Sequence, residues 1–124
     1  MIYPLLLALT VTVQAPPQAD SIAIIPKPVT LVRHPGAFTL RSRTVVMTSP
    51  DLKALGEQVI AYLRPATGVD FTLTTGHQIP AAAGPNPSVI ILGIDSLQAG
   101  HGPEAYSMDV TASSVVIHGA TPAG

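Results

Sequence analysis

Ser88-Val89-Ile90-Ile91-Leu92-Gly93 is the stretch on which the architecture turns. Its four central residues are bulky and apolar, with no polar residue between them. A strand with one wet face alternates apolar and polar positions; a short run without alternation is buried on both faces. The run has the length of a strand and is too short for a typical helix. It is therefore expected at the centre of a sheet, with strands on both sides and cover on both faces.

Its neighbours follow outward along the chain. Downstream, Gly100-His101-Gly102-Pro103 reads as a loop. From Ala105 to Thr111, Tyr106, Met108 and Val110 alternate with Ser107, Asp109 and Thr111, which predicts a half-buried strand. Ala112 to Ser114 turns the chain into Val115 to His118, the expected antiparallel partner. Upstream, Thr44 to Thr48 is β-branched and strand-like, and Phe71 to Thr74 reads as another strand. Val29 to Val32 and Ala37 to Leu40 read as two short strands joined by a turn at His34-Pro35-Gly36. Before them, Ile22 to Val29 is an extended lead-in. Pro26 and Pro28 each remove a donor and push the preceding residue toward extended backbone. His77 to Pro87 is a loop rich in Ala, Gly and Pro.

One helix stands out. Ser49 is an N-cap residue, Pro50 suits the first helical position, and Asp51 complements the helix dipole. Leu52, Leu55, Val59 and Leu63 share a stripe at helical spacing, which is a core-facing pattern. Pro65 is expected to stop the helix and Gly68 to turn the chain. A second start signal closes the sequence: Thr121-Pro122 reads as an N-cap with proline at the first helical position.

Composition excludes several classes. The 124 residues are 47% hydrophobic and 10% charged, with a formal net charge of −1. A nucleic-acid binder carries a basic stripe; here Lys27, Arg33, Arg41, Arg43, Lys53 and Arg64 are scattered, so no nucleic-acid partner is expected. With no cysteine there is neither a disulfide framework nor a thiolate site. Leu5 to Val13 is an apolar run broken only by Thr10 and Thr12. At ~1.5 Å per residue it covers roughly half of a ~30 Å hydrocarbon core. It is too short to span a membrane and has the length of a signal-peptide core. Val13-Gln14-Ala15 has the shape of a cleavage site, and Ala19 is the alternative. The reading is an exported chain, periplasmic or extracellular, with residues 1–19 as signal peptide and the domain over 20–120.

No catalytic, cofactor-binding or metal site is assigned. The acids are Asp20, Asp51, Glu57, Asp70, Asp95, Glu104 and Asp109, and no spacing brings a pair onto one substrate. The histidines are His34, His77, His101 and His118. His101 and Glu104 are three apart, but Gly102 and Pro103 between them rule out the helix that would align them. There is no nucleophile elbow and no phosphate-cradling loop. A sugar-binding platform would use aromatic faces; the chain has no Trp, two Phe and three Tyr. Arg41 and Arg43 are expected on one face of a strand at period two. They read either as a solvated edge that blunts strand pairing or as a contact surface for a neighbouring domain.

The order of these pieces resembles a known one. Ile25-Pro26-Lys27-Pro28, Gly36-Ala37-Phe38-Thr39-Leu40, the capped helix and Val89-Ile90-Ile91-Leu92 are similar to the N-terminal domain of β-N-acetylhexosaminidases of glycoside hydrolase family 20. So are Gly102-Pro103-Glu104-Ala105-Tyr106-Ser107-Met108-Asp109-Val110 and Val115-Val116-Ile117-His118-Gly119-Ala120. The resemblance covers nearly all of the chain after residue 19. It implies an α+β fold, a small antiparallel sheet with a mixed edge and helices packed on one face, preceding a (β/α)8 barrel. It implies that the barrel holds the chemistry: the acetamido oxygen of the substrate attacks the anomeric carbon, an exception to the two-carboxylate scheme, served by an adjacent Asp-Glu pair. No Asp-Glu dipeptide occurs here, so no catalytic residue is carried over. The implied role is a non-catalytic accessory domain of an exported β-N-acetylhexosaminidase that removes terminal N-acetylhexosamine from glycans. Residues 121–124 would open a helix leading to the barrel, which is the implied partner, and the isolated domain would self-associate. The alternatives are a free-standing exported carbohydrate-binding or interaction module, or the equivalent domain of another glycosidase family.

Overall fold

A computed structural model describes residues 22–25 and 27–124. The expected signal segment, residues 1–19, lies outside the described residues. The chain divides into Met1–Arg33 and His34–Gly124. The described part of the first unit has no helix or strand, as two prolines in a short lead-in dictate, and Ile25 and Val29 are exposed.

The second unit is built on five strands: β1 (Arg43–Thr48), β2 (Asp70–Thr75), β3 (Ser88–Ile94), β4 (Tyr106–Val110) and β5 (Ser114–Gly119). They lie in the order β2-β1-β3-β5-β4, so the apolar run of β3 is central, as its lack of alternation predicts. One helix, α1 (Lys53–Thr67), packs on one face, preceded by a 3-10 turn at Pro50–Leu52. This is the expected small α+β sheet with a mixed edge, although with a single helix among the described residues.

The pairing within the sheet differs from the expected one. β1 pairs with β2, β1 with β3, and β3 with β5 in parallel; only β4 and β5 are antiparallel. Parallel neighbours need a crossover of a dozen or more residues. α1 supplies it between β1 and β2, and the loop Gly76–Pro87 carries the chain back past β1 to β3. The tight Thr111–Ser113 turn permits only an antiparallel hairpin, so that pairing is confined to the edge.

Two further expectations need correction. Val29–Val32 and Ala37–Leu40 form no strands. Thr39 N–H donates to Ala112 O at 3.5 Å and Arg41 N–H to Ser88 Oγ at 3.1 Å. The segment thus runs across the strand ends rather than beside one strand, with Phe38 and Leu40 packed on the core. Pro65 does not end α1, which continues to Thr67. A proline one turn from the end forfeits a single helical bond, and the stop comes from Gly68 at φ +67, whose N–H reaches Arg64 O at 2.9 Å. That left-handed cap suits glycine. Thr67 Oγ1 also donates to Leu63 O at 2.8 Å, satisfying one of the last carbonyls.

Two apolar layers hold the sheet. On the α1 side, Val46, Phe71, Ile90 and Leu92 are buried against Ile60, with Leu55, Val59, Leu63, Val115 and Ile117 partly buried around them. On the other side, Val45, Met47 and Val89 are buried with Ala83 of the loop. α1 crosses at Gly56: a Cβ built there would lie 2.7 Å from Leu73 Cδ1 and 2.9 Å from Thr48 Cγ2. The approach leaves no room for a side chain unless Leu73 and Thr48 give way.

α1 contacts β1 and β2, at one side of the sheet. A helix is about 10–12 Å across, whereas five strands at about 4.8 Å spacing are roughly twice as wide. The register puts Ile94, Ile117, Met108 and Val110 on the α1 side of the other half. There Ile94, Met108 and Val110 are 47%, 42% and 46% exposed. The alternation in β4 is real, and its apolar face is only about half covered, as expected of a half-buried strand.

The close approach at Gly56 generates a test. Alanine is favoured over glycine within a helix by about 0.8–1.0 kcal/mol, but overpacking costs about 1–3 kcal/mol. Gly56→Ala is expected to destabilise the domain by roughly 1 kcal/mol, and Gly56→Val by more, in urea unfolding. A Gly56→Ala protein more stable than the parent would show that α1 can lift from the sheet freely.

Candidate functional site

The acids are held on separate elements. Asp51 precedes α1, and Glu57 pairs with Lys53 one turn away at 3.6 Å on an exposed face. Asp70 and Asp109 sit on β2 and β4, the two opposite edges of the sheet. Asp95 caps the 3-10 turn Ser96–His101, its carboxylate accepting from Leu97 N–H at 2.9 Å. Glu104 is exposed in the turn before β4, and Asp20 lies outside the described residues. No acid lines the groove described below.

The histidines are equally dispersed. His34, His77 and His101 are exposed in loops or turns. His118 is half-buried on β5, opposite Gly93 of β3. A Cβ at Gly93 would lie 2.7 Å from His118 Cδ2, so the imidazole covers the glycine backbone. Among the described residues, no three His, Cys, Asp or Glu side chains group to hold a metal ion. None of their helices is long and apolar enough to cross a membrane.

Arg41 and Arg43 do not share a strand face, because β1 begins at Arg43. Both instead reach the loop between β2 and β3. Arg41 Nη1 donates to Asn86 O at 2.6 Å, and Arg43 Nη1 to Ala82 O at 3.3 Å. The backbone of Arg41 is fixed by a closed ring of buried hydroxyls. Its N–H donates to Ser88 Oγ at 3.1 Å, Thr44 Oγ1 donates to its carbonyl at 3.1 Å, and the two hydroxyls meet at 2.8 Å. Because the Thr44 proton goes to Arg41 O, Ser88 is the donor between them. Thr44 and Ser88 are essentially fully buried, and each is satisfied.

Beside this ring lies an open groove of about 580 Å³, lined by Arg41, Ile79, Asn86, Pro87, Val89 and the Ser113–Ser114 turn, with Gly84 at its rim. Sequence reasoning does not find it. Its walls come from three distant segments, and the only signal is Arg41 itself.

Thr121 opens a turn at the end of the described residues. Its Oγ1 accepts from Ala123 N–H at 3.2 Å and its carbonyl from Gly124 N–H at 3.0 Å, the contacts of a tight turn. The turn is tethered beside β4: Thr121 Oγ1 donates to Pro103 O at 2.7 Å, and Ala120 N–H to Ala105 O at 2.8 Å.

A family model described as "Glycosyl hydrolase family 20, domain 2" matches residues 21–124. No curated protein matches the chain.

The hydroxyl ring predicts a local dependence. Ser88→Ala leaves Arg41 N–H without its acceptor and Thr44 Oγ1 without its donor. The expected loss is about 1–3 kcal/mol in thermal or urea unfolding. Thr72 is exposed on β2 and outside the ring, so Thr72→Ser serves as the control and should stay within about 0.5 kcal/mol. Equal stability of the Ser88→Ala and parent proteins would show that the ring does not hold the Arg41 segment.

Proposed function

Because this chain belongs to glycosyl hydrolase family 20, as its domain 2, we propose that it buttresses a (β/α)8 catalytic domain in an exported β-N-acetylhexosaminidase. The parent enzyme would remove terminal N-acetylglucosamine or N-acetylgalactosamine from glycans. The carrying observation is the family match over residues 21–124. The dispersal of the acids over separate elements supports an accessory role, since a glycosidase site needs its acid groups around one bond. The apolar run Leu5–Val13 supports export.

Two structural features support a partner. The β3–β5–β4 half of the α1 side presents Ile94, Met108 and Val110 to solvent. Thr121 forms a turn tied to Pro103, ahead of β4, and Thr121-Pro122 is a sequence signal for a helix start. In this reading a helix opened at Thr121 lies on the bare half of the sheet and leads to the barrel. Domains of one chain typically bury about 600–1,500 Å² against each other, and an apolar patch of that order left open promotes self-association.

Three measurements test the reading. Rigorously purified chain is expected not to hydrolyse a chromogenic N-acetyl-β-glucosaminide above background, because positioned acid–base catalysis alone is worth ~10²–10⁴-fold. Genuine turnover would overturn the accessory role. In sedimentation the chain should associate as its concentration rises, and Met108→Lys with Val110→Lys should reduce that association. A monodisperse, thermally robust monomer would argue against a partner domain. Downstream DNA should continue the frame with apolar residues at helical spacing, then roughly 250 residues of alternating strands and helices, including an Asp-Glu dipeptide. A stop codon with no barrel sequence nearby, together with saturable binding of chito-oligosaccharides, would favour a free-standing module instead.

A further inference from the structure

We infer that the groove beside Arg41 receives a carboxylate side chain from the catalytic domain that accompanies this one. The identity of the partner rests on the accessory-domain reading, whereas the chemistry of the groove stands on its own residues.

The cation is fixed in place and left largely unspent. Arg41 is held through its backbone by Ser88 and Thr44, and through Nη1 by Asn86 O at 2.6 Å. That is the one hydrogen bond of its side chain among the described residues. A guanidinium has five N–H donors in a planar fork, so four remain for a ligand. No acid lines the groove. The ion pair found among the described residues, Lys53–Glu57, lies on α1 and does not involve Arg41. Arg43, bound to Ala82 O on the same loop, adds a second positive charge nearby.

The remaining walls select the kind of anion. Arg41 is the cation in the lining, and the shape of its fork rather than the charge count selects the ligand. A planar fork fits a carboxylate in bidentate fashion. The Ser113 hydroxyl has no hydrogen bond among the described residues and offers a further donor. Ile79, Pro87 and Val89 give an apolar wall suited to the methylenes of a glutamate. The groove opens to solvent, so a side chain of another domain can enter it.

The test uses the chain itself. Isotopically labelled protein is titrated with acetylated tri-glutamate amide, with tri-glutamine amide as the neutral control, and amide shifts are followed by NMR. Saturable shifts at Asn86, Val89, Ser113 and Ser114 are expected with the acidic peptide and none with the neutral one. Affinity should be on the order of millimolar, about 4 kcal/mol, more than the ~1 kcal/mol of a bare exposed pair because the bidentate fork and the apolar wall act together. Arg41→Gln should weaken it on the order of tenfold, with unchanged resonances elsewhere establishing that the variant is folded. Arg41→Lys should retain part of the affinity, since it keeps the charge and loses the fork. Absence of saturable shifts, equal shifts in Arg41→Gln, or equal binding of inorganic phosphate at the same residues would overturn the inference. Failure of the accessory-domain reading would appear instead in the hydrolysis assay and the downstream frame.

Discussion

The structure depends on the burial of β3 on both faces. Val89 and Ile91 point to one side and Ile90 and Leu92 to the other, so neither side can be left to water. Each buried side chain of this size contributes about 1.5–3 kcal/mol. That requirement places β1 and β5 on either side of β3, calls α1 to one face and brings the loop Gly76–Pro87 to the other. The loop's apolar residues are mostly small, and among them Ala83 enters the buried layer. It is secured by hydrogen bonds instead, with Arg41 and Arg43 each holding one of its carbonyls. The same constraint therefore explains the arginines and the groove beside them.

What can be read from the sequence follows from how local its cause is. β3 is legible because four apolar residues in a row admit few arrangements. The β4–β5 hairpin is legible because its alternation and its turn lie within fifteen residues. Strand direction is not, because parallel pairing of β1, β2 and β3 is decided by where two crossovers land and not by any residue within the strands. Ala37–Leu40 has the composition of a strand, yet lies across the strand ends where no continuous partner is available. Pro65 is a weaker stop than its residue type suggests: near a helix end its missing donor costs one bond, and Gly68 sets the boundary.

The candidate site shows the same division. The dispersal of acids and histidines can be anticipated from spacing alone. The groove cannot, because Arg41, Asn86 and Ser113 are brought together only when β1, β3 and β5 assemble. Arg41 and Arg43 are visible as a pair at period two, but their partners are backbone carbonyls some forty residues away, which carry no side-chain signature.

The strand order β3-β5-β4 also bears on how the domain folds. β4 is made before β5, yet it cannot take the place beside β3, because that place belongs to β5. The β4–β5 hairpin is the local unit, and hairpins form in about 1–10 μs. The parallel pairs join segments far apart in the chain and are intrinsically slower. Until the hairpin docks through β5, the edge of β3 lies open as an unpaired, largely apolar template for any other strand. The assembly order written into the topology thus makes the interval before docking the time when this chain is most exposed to aggregation.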